Sequence, residues 1–254
     1  MPVDSEHSAL FRLLGGKGAG ADVERLWLTA SGGPFLRRSG ADPASFTPEM
    51  ALMHPRWRMG RKVSVDSSTL MNKGFEIIEG SRFFGVPAPR IGVLVHPESV
   101  VHALVEMRDG AQTALLAAPD MALSVLQALT WPEPPPQMPQ CPRLDLAKAG
   151  ALHFEKPDTR RFPCLELARE AERRGDRALC AVVAADEVAV DRFLAGDISW
   201  PDIPRLVEAV MEKSGGGAAK TGEETLAVYS EGLAAARAWK RAAAHPALPE
   251  PSPR

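Results

Sequence analysis

Two hydrophobic rhythms divide the chain. Short continuous apolar runs, the signal of buried strands, fill much of its first part. Leu26-Trp-Leu-Thr-Ala30 is one such run and ends in Ser31-Gly-Gly-Pro-Phe35, which predicts a strand closed by a glycine turn whose backbone can approach a ligand. Ile91-Gly-Val-Leu-Val95 predicts a second strand, and Val101 to Ala117, folded about Asp109-Gly110, predicts a hairpin. Between these runs Met71, Phe75 and Ile78 recur at helical spacing, predicting one helix from Asp66 to about Phe84 with Ser67 or Ser68 as its N-cap. The other face of that helix would carry Ser68, Asn72 and Glu76 at i, i+4 and i+8, with Lys73 close by.

Beyond Trp131 the rhythm changes. A proline-rich stretch reaching about Pro163 predicts an extended crossing. Cys164 to Arg174, Ala184 to Ala195, Ile203 to Lys213 and Thr221 to Ala243 then read as helix without strand signals, and Ser214-Gly-Gly-Gly217 separates the last two. The expected fold class is α+β: a mixed α/β domain with a small sheet over 1–132, an extended linker over 133–157, a C-terminal all-α helical bundle over 158–243, and a disordered tail over 244–254.

Composition supports this picture and narrows the partners. A chain of 254 residues with 45% hydrophobic content can bury a substantial core. With 30 basic and 32 acidic residues the net charge is −2, which argues against nucleic acid or an anionic membrane as the main partner. Cys141, Cys164 and Cys180 are odd in number and form no CxxC pair, which fits reduced thiols in a cytoplasm; Cys164 and Cys180 are expected to pack among helices. Asp4, Glu6 and His7 stand where a secretory leader needs apolar residues, and the longest apolar run, Ala178 to Ala185, is short of a membrane span, so a soluble cytoplasmic protein is expected. Gly16-Lys-Gly-Ala-Gly-Ala21 follows a helix-like segment rather than a strand, and Ala219 precedes Lys220 where a phosphate loop needs glycine, so neither cluster is a nucleotide signature.

Three stretches carry candidate chemistry. A helix start near Ser67 offers free backbone N–H groups and a positive dipole end, and Ser67, Asn72 and Lys73 would complete a phosphate site there. His54-Pro-Arg-Trp-Arg-Met-Gly60 reads either as an ordinary surface turn or as a mobile loop whose indole and thioether cover an organic ligand. Asp4 and Glu6 read either as a solvated terminus or, with Glu76, as an oxygen-ligand site for Mg²⁺ or Mn²⁺.

Five blocks in order resemble the catalytic core of 1-deoxy-D-xylulose 5-phosphate reductoisomerases: Pro2-Val-Asp-Ser-Glu-His-Ser8, Leu28-Thr-Ala-Ser-Gly-Gly-Pro-Phe35, His54-Pro-Arg-Trp-Arg-Met-Gly60, Lys62 through Glu76, and His96-Pro-Glu-Ser99. The likeness continues through Pro119-Asp-Met121, Arg161-Phe-Pro-Cys164 and Glu187-Val-Ala189. It implies an enzyme that isomerises a sugar phosphate on a divalent metal and reduces it with NADPH, acting as a homodimer in non-mevalonate isoprenoid synthesis. It implies Asp4, Glu6 and Glu76 as metal ligands, with Glu6 and His54 catalytic. Ser5, Ser31, Ser67, Asn72, Lys73, His54 and Glu76 would meet substrate, and Trp57 and Met59 would lie on a closing loop, with Met59 the one candidate NADPH contact. The Asp-Ser-Glu segment is expected as a strand that follows a dinucleotide-binding domain, so the chain is expected to be a truncated form lacking that domain: a truncated gene model, a fragment, or half of a split enzyme with a separate NADPH-binding domain. Ala118, Ala122, Val183 and Asp186 depart from the family pattern. His96 and His102 are expected to be structural. Two other classes remain open at this point: a metal-dependent sugar-phosphate binder or lyase without redox function, and a non-catalytic dimerising remnant.

Overall fold

The computed structural model describes residues 1–136 and 141–241. The proposed tail over 244–254 lies outside these residues.

The chain opens with helix α1 (Ser5–Leu13) and strand β1 (Val23–Ala30), followed by α2 (Pro48–Leu52), α3 (Arg61–Thr69) and α4 (Met71–Phe84). Strands β2 (Ile91–Val95), β3 (Val101–Met107) and β4 (Gln112–Leu116) complete a sheet of order β2-β1-β3-β4. β1 and β2 are parallel, joined by the helical crossover such a pair requires, while β3 is antiparallel to β1 and to β4. The register sets Leu26 beside Ile91 and Leu28 beside Val93, and Leu26, Leu28 and Ile91 are fully buried. α1 and α4 touch each other and pack on the sheet. The strands and the hairpin stand where the apolar runs predict them.

Helix α5 (Ala122–Thr130), absent from the sequence reading, packs on α1. The proline-rich segment holds a short helix α6 (Leu146–Ala149) and an antiparallel bridge from Glu155 to Val95 at the sheet edge. Then come α7 (Cys164–Arg174), α8 (Asp176–Leu194), α9 (Asp202–Ser214) and α10 (Gly222–Ala238). α8 touches α7, α9, α10 and α3, while α7 lies on α4. One hydrophobic core runs without interruption from Leu10 and Leu28 through Met71 to Leu165, Val182 and Leu206.

Aromatic rings knit the glycine turn after β1 to the C-terminal helices. Phe35 and Phe46 stack with centroids 3.9 Å apart, Trp200 meets them at 5.5 and 5.4 Å, and Phe162 stands 6.0 Å from Trp200. The glycine-rich stretch before α10 is a cap: the Thr221 hydroxyl accepts from Glu224 N at 3.1 Å, and Glu224 accepts from Lys220 N at 2.7 Å.

Two expectations are corrected. The single helix from Asp66 to Phe84 is two helices, broken at the buried Leu70, which takes a left-handed backbone with φ 62°. Hydroxyls prepare that break: Ser68 and Thr69 donate to the carbonyls of Val65 and Asp66, drawing these acceptors from the helical ladder. Ser67 and Ser68 consequently lie in the last turn of α3 and cap nothing, and α4 has no side-chain cap. Second, the Asp-Ser-Glu segment is a helix start rather than a strand, with the Asp4 carboxylate accepting from Glu6 N at 3.2 Å. The apolar positions of α4 lie against the core as the spacing implies: Met71 is buried, Phe75 and Ile78 are half-buried and pack on it, and Ile77 joins them.

Candidate active site

Four helix or strand ends converge on one cleft of about 220 Å³. The first turn of α1 brings Asp4, Ser5 and Glu6; the end of β1 brings Ser31; the last turn of α3 brings Ser67; the first turns of α4 bring Asn72, Lys73 and Glu76. His54, Trp57 and Met59 line it from the segment between α2 and α3. Every side chain singled out for the site in the sequence therefore faces the same space. Ser68 does not: it is fully buried, with its hydroxyl accepting from Trp200 Nε1 at 3.0 Å.

Gly33 explains how Ser31 and Ser67 come together. Its φ is +68°, and a Cβ there would stand 2.8 Å from the Ser67 carbonyl oxygen, so only glycine lets this turn sit on the end of α3. At Gly33 a close approach is made to the protein's own backbone.

The acidic end is a network about one ammonium. Lys73 Nζ donates to Glu6 Oε1 at 2.7 Å and to Glu76 Oε2 at 2.6 Å, and Asn72 Nδ2 donates to Glu76 Oε1 at 2.6 Å. Ser5 Oγ donates to the second oxygen of Glu6. Burial and the neighbouring Glu6 charge raise Asp4 to about 6. Burial works to raise Glu6 as well, but Lys73 and the Ser5 hydroxyl outweigh it and hold Glu6 down at about 2. Burial, with the charges of Asp4 and Glu6, pushes Glu76 well above the usual carboxylate range. Lys73 loses stability as a cation from burial, yet Glu6, Glu76 and Asp4 more than restore it.

At the other end His54 organises its own loop. Its Nδ1 accepts from Trp57 N at 2.8 Å and Arg56 N at 3.2 Å, so the neutral ring carries its proton on Nε2, 2.8 Å from Ser31 Oγ. Burial lowers its pKa to about 4, which keeps it neutral near pH 7. Ser31 Oγ thus accepts from His54 and from Gly33 N at 3.2 Å and keeps its own proton to donate.

Arg58, Val63, Leu70 and Met121 also line the cleft and were not singled out. All four sit inside blocks already quoted, which was the available signal, though Val63 and Leu70 look there like ordinary helix positions. His96 is structural as expected, its Nε2 accepting from Val100 N at 3.3 Å and Val101 N at 3.2 Å. His102 stands nearer the site: its ring lies 6.3 Å from Trp57, and its buried Nε2 has no partner among the described residues.

The donor set suits a hard divalent cation. Asp4, Glu6 and Glu76 each offer an oxygen, and these atoms lie within 4.8 Å of one another. With all three carboxylates ionised, as ligation of a cation requires, one lysine leaves a surplus of two negative charges (3 − 1 = 2), the charge such a cation would balance; without it, the raised Asp4 and Glu76 show the cost of that surplus.

Fold and cleft together define an α+β enzyme domain with an all-oxygen cation site beside a pocket of hydroxyl, amide and ammonium donors. The profile described as the 1-deoxy-D-xylulose 5-phosphate reductoisomerase C-terminal domain matches residues 1–84, and that described as the DXP reductoisomerase C-terminal domain matches residues 116–242. The chain belongs to the 1-deoxy-D-xylulose 5-phosphate reductoisomerase family. It is 53% identical over 212 residues to the reductoisomerase of Thermus thermophilus, covering 84% of this chain and 56% of that protein. With the Cupriavidus metallidurans enzyme it shares 46% identity over 240 residues, 94% of this chain and 61% of that one. The Zymomonas mobilis reductoisomerase in complex with NADPH superposes with a TM-score of 0.83 at 37% identity, over 94% of this chain and 61% of that chain. A reductoisomerase in complex with NADPH, fosmidomycin and magnesium gives 0.84 at 36% identity, over 93% and 62%. The chain thus spans little more than half the length of these relatives.

Proposed function

We propose that this chain is the metal- and substrate-binding part of a 1-deoxy-D-xylulose 5-phosphate reductoisomerase, acting in the cytoplasm as a homodimer together with an NADPH-binding domain. One observation carries the reading: three carboxylate oxygens within 4.8 Å of one another share a cleft with Ser31, His54, Ser67, Asn72 and Lys73. Magnesium or manganese held by Asp4, Glu6 and Glu76 supplies Lewis acidity toward the substrate's carbonyl and hydroxyl oxygens, and NADPH supplies the hydride.

The chain's own residues orient and enclose. Ser31, Ser67, Asn72 and Lys73 offer donors to the phosphate, with the free proton of Ser31 Oγ aimed by the His54 contact. Fixing the phosphate far from the reacting carbons uses binding energy that does not depend on the bonds being rearranged. Glu6 belongs to the carboxylate cluster and Ser5 stands beside it, where a substrate hydroxyl would give up and regain its proton. Trp57 and Met59 form an apolar cover, Met59 being the residue that would also meet the nicotinamide. The domain division at 1–132, 133–157 and 158–243 is retained as a functional one: the first part binds, and the last braces α3 and α4.

Titration calorimetry tests the reading. Mn²⁺ should bind the chain, and 1-deoxy-D-xylulose 5-phosphate should bind only when Mn²⁺ is present; substrate binding that ignores the metal refutes the site. NADPH oxidation should require addition of the dinucleotide-binding domain. Metal-dependent binding with no oxidation even then would favour the non-redox alternative.

A further inference from the structure

A second group of ionisable side chains lies away from the cleft, between α3 and α8: two buried aspartates reached by Lys62, whose side chain is 43% exposed. Lys62 Nζ donates to Asp66 Oδ2 at 2.7 Å and to Asp186 Oδ2 at 2.5 Å. Asp66 is 3% exposed and Asp186 is fully buried, and each keeps its other oxygen, Oδ1, shielded from water with no partner among the described residues. Two carboxylates against one ammonium leave a negative charge without compensation in a dry interior. Both carboxyl groups meet the same ammonium, which brings their Oδ2 atoms close to each other. A proton held between them removes the surplus charge and gives an orphaned oxygen a partner.

The neighbours do not offer another remedy. Glu187 follows on α8 and opposes ionisation of Asp186; the Cys164 thiol comes from α7; Tyr229 comes from α10 with its hydroxyl on Glu187. None of these three is a cation. Burial and the partner's charge raise Asp66 well above its ordinary range, and burial raises Asp186.

The position gives the pair a task. Asp66 directly precedes Ser67, which faces the cleft, and Trp200 grips Ser68 on the other side. The C-terminal helices thus hold the last turn of α3 at two points. We propose that Asp66 and Asp186 share a single proton as an acid–carboxylate pair clamped by Lys62, and that this clamp positions Ser67 at the anion end of the cleft. The positioning role rests on the cleft being a sugar-phosphate site; the shared proton does not.

Asp186→Asn tests both parts, because its amide N–H replaces the shared proton while its oxygen keeps Lys62. With saturating Mg²⁺ at neutral pH, infrared difference spectra of parent against D186N should show a protonated-carboxyl C=O band that the variant has lost. A difference spectrum without that band overturns the shared proton. Affinity for 1-deoxy-D-xylulose 5-phosphate, measured by calorimetry with Mg²⁺, should fall about tenfold in Asp186→Ala and stay within about twofold of parent in D186N. Mg²⁺ affinity should be the same in all three. Unchanged sugar-phosphate affinity in D186A, or a parallel loss of Mg²⁺ affinity, overturns the positioning role, and Asp186→Ser serves the same arm if D186A does not fold. If the parent itself binds no sugar phosphate, the reading of the cleft fails and with it the positioning role, while the infrared band still decides the proton.

Discussion

Lys73 Nζ on α4 stands 2.7 Å from Glu6 Oε1 in the first turn of α1. The same ammonium reaches Glu76 at 2.6 Å, so one buried cation lets three carboxylates occupy one end of the cleft. Lys73→Met keeps an apolar stem and removes the charge. The carboxylates left behind should cost about 3–5 kcal/mol of stability in chelator, read from denaturant midpoints. Mn²⁺ should restore most of that loss by supplying the missing positive charge. A variant as stable as the parent in chelator would show that the carboxylates do not depend on Lys73.

Gly33 should tolerate no side chain. Gly33→Ala imposes a left-handed backbone on alanine, about 1–3 kcal/mol, and drives a methyl group to 2.8 Å from the Ser67 carbonyl oxygen. Gly85 has a similar φ of +65° with open space around it, so Gly85→Ala isolates the backbone cost. Thermal melts should rank parent, then G85A, then G33A, and G33A alone should weaken inorganic-phosphate binding, since it pushes Ser31 and Ser67 apart.

What the sequence could and could not disclose follows from the range of each signal. Buried strands announce themselves in consecutive residues, so Leu26–Ala30 and Ile91–Val95 were legible. The break at Leu70 was not, because a leucine in the left-handed region leaves the apolar period intact. α5 exposes Val125 at 40% and Leu129 at 76%, so its apolar residues give no one-sided pattern against the neighbouring prolines. In the site, residue chemistry pointed separately to Asp4 with Glu6 and to Asn72 with Lys73. Nothing in spacing joins residue 6 to residue 76; the packing of α1 against α4 does that, and residue chemistry offered Glu76 only as one of two readings between which family likeness chose. The Asp66–Asp186 contact had no signal at all, since its members look like two unrelated helix positions.

His54 should make the parent protein acid-sensitive in a defined window. The unfolded chain takes up a proton near pH 6.5, whereas the folded ring does so only near 4. Between those values the unfolded state binds more protons, so stability contributed by the neutral ring is complete above about 6.5 and declines as pH falls toward 4. His54→Asn can still accept from the backbone N–H groups two and three residues on, as an Asx turn does, but has no titrating ring. The difference in stability between parent and H54N should therefore change between pH 6.5 and 4 and be flat above. A flat difference across the whole range would mean that His54 titrates normally in the folded protein.

Asp4 does two separable things. Its carboxylate accepts from Glu6 N at 3.2 Å, capping α1, and it contributes one of three oxygens to the proposed cation site. Asparagine caps a helix about as well as aspartate but brings no charge, whereas alanine loses both functions. Asp4→Asn should keep the parent's melting temperature in chelator to within a degree or two, because the cap survives and one member of a mutually repelling carboxylate group is gone. Its Mn²⁺ affinity should nevertheless fall at least about 100-fold, since losing a ligand should cost no less than losing a residue that merely supports one. Asp4→Ala should show the same metal defect and lose about a further 1 kcal/mol of stability through the uncapped helix. Calorimetric titration of Mn²⁺ into the three proteins, beside their melts, separates the roles: equal metal affinity in parent and D4N would remove Asp4 from the cation site and leave it a helix cap.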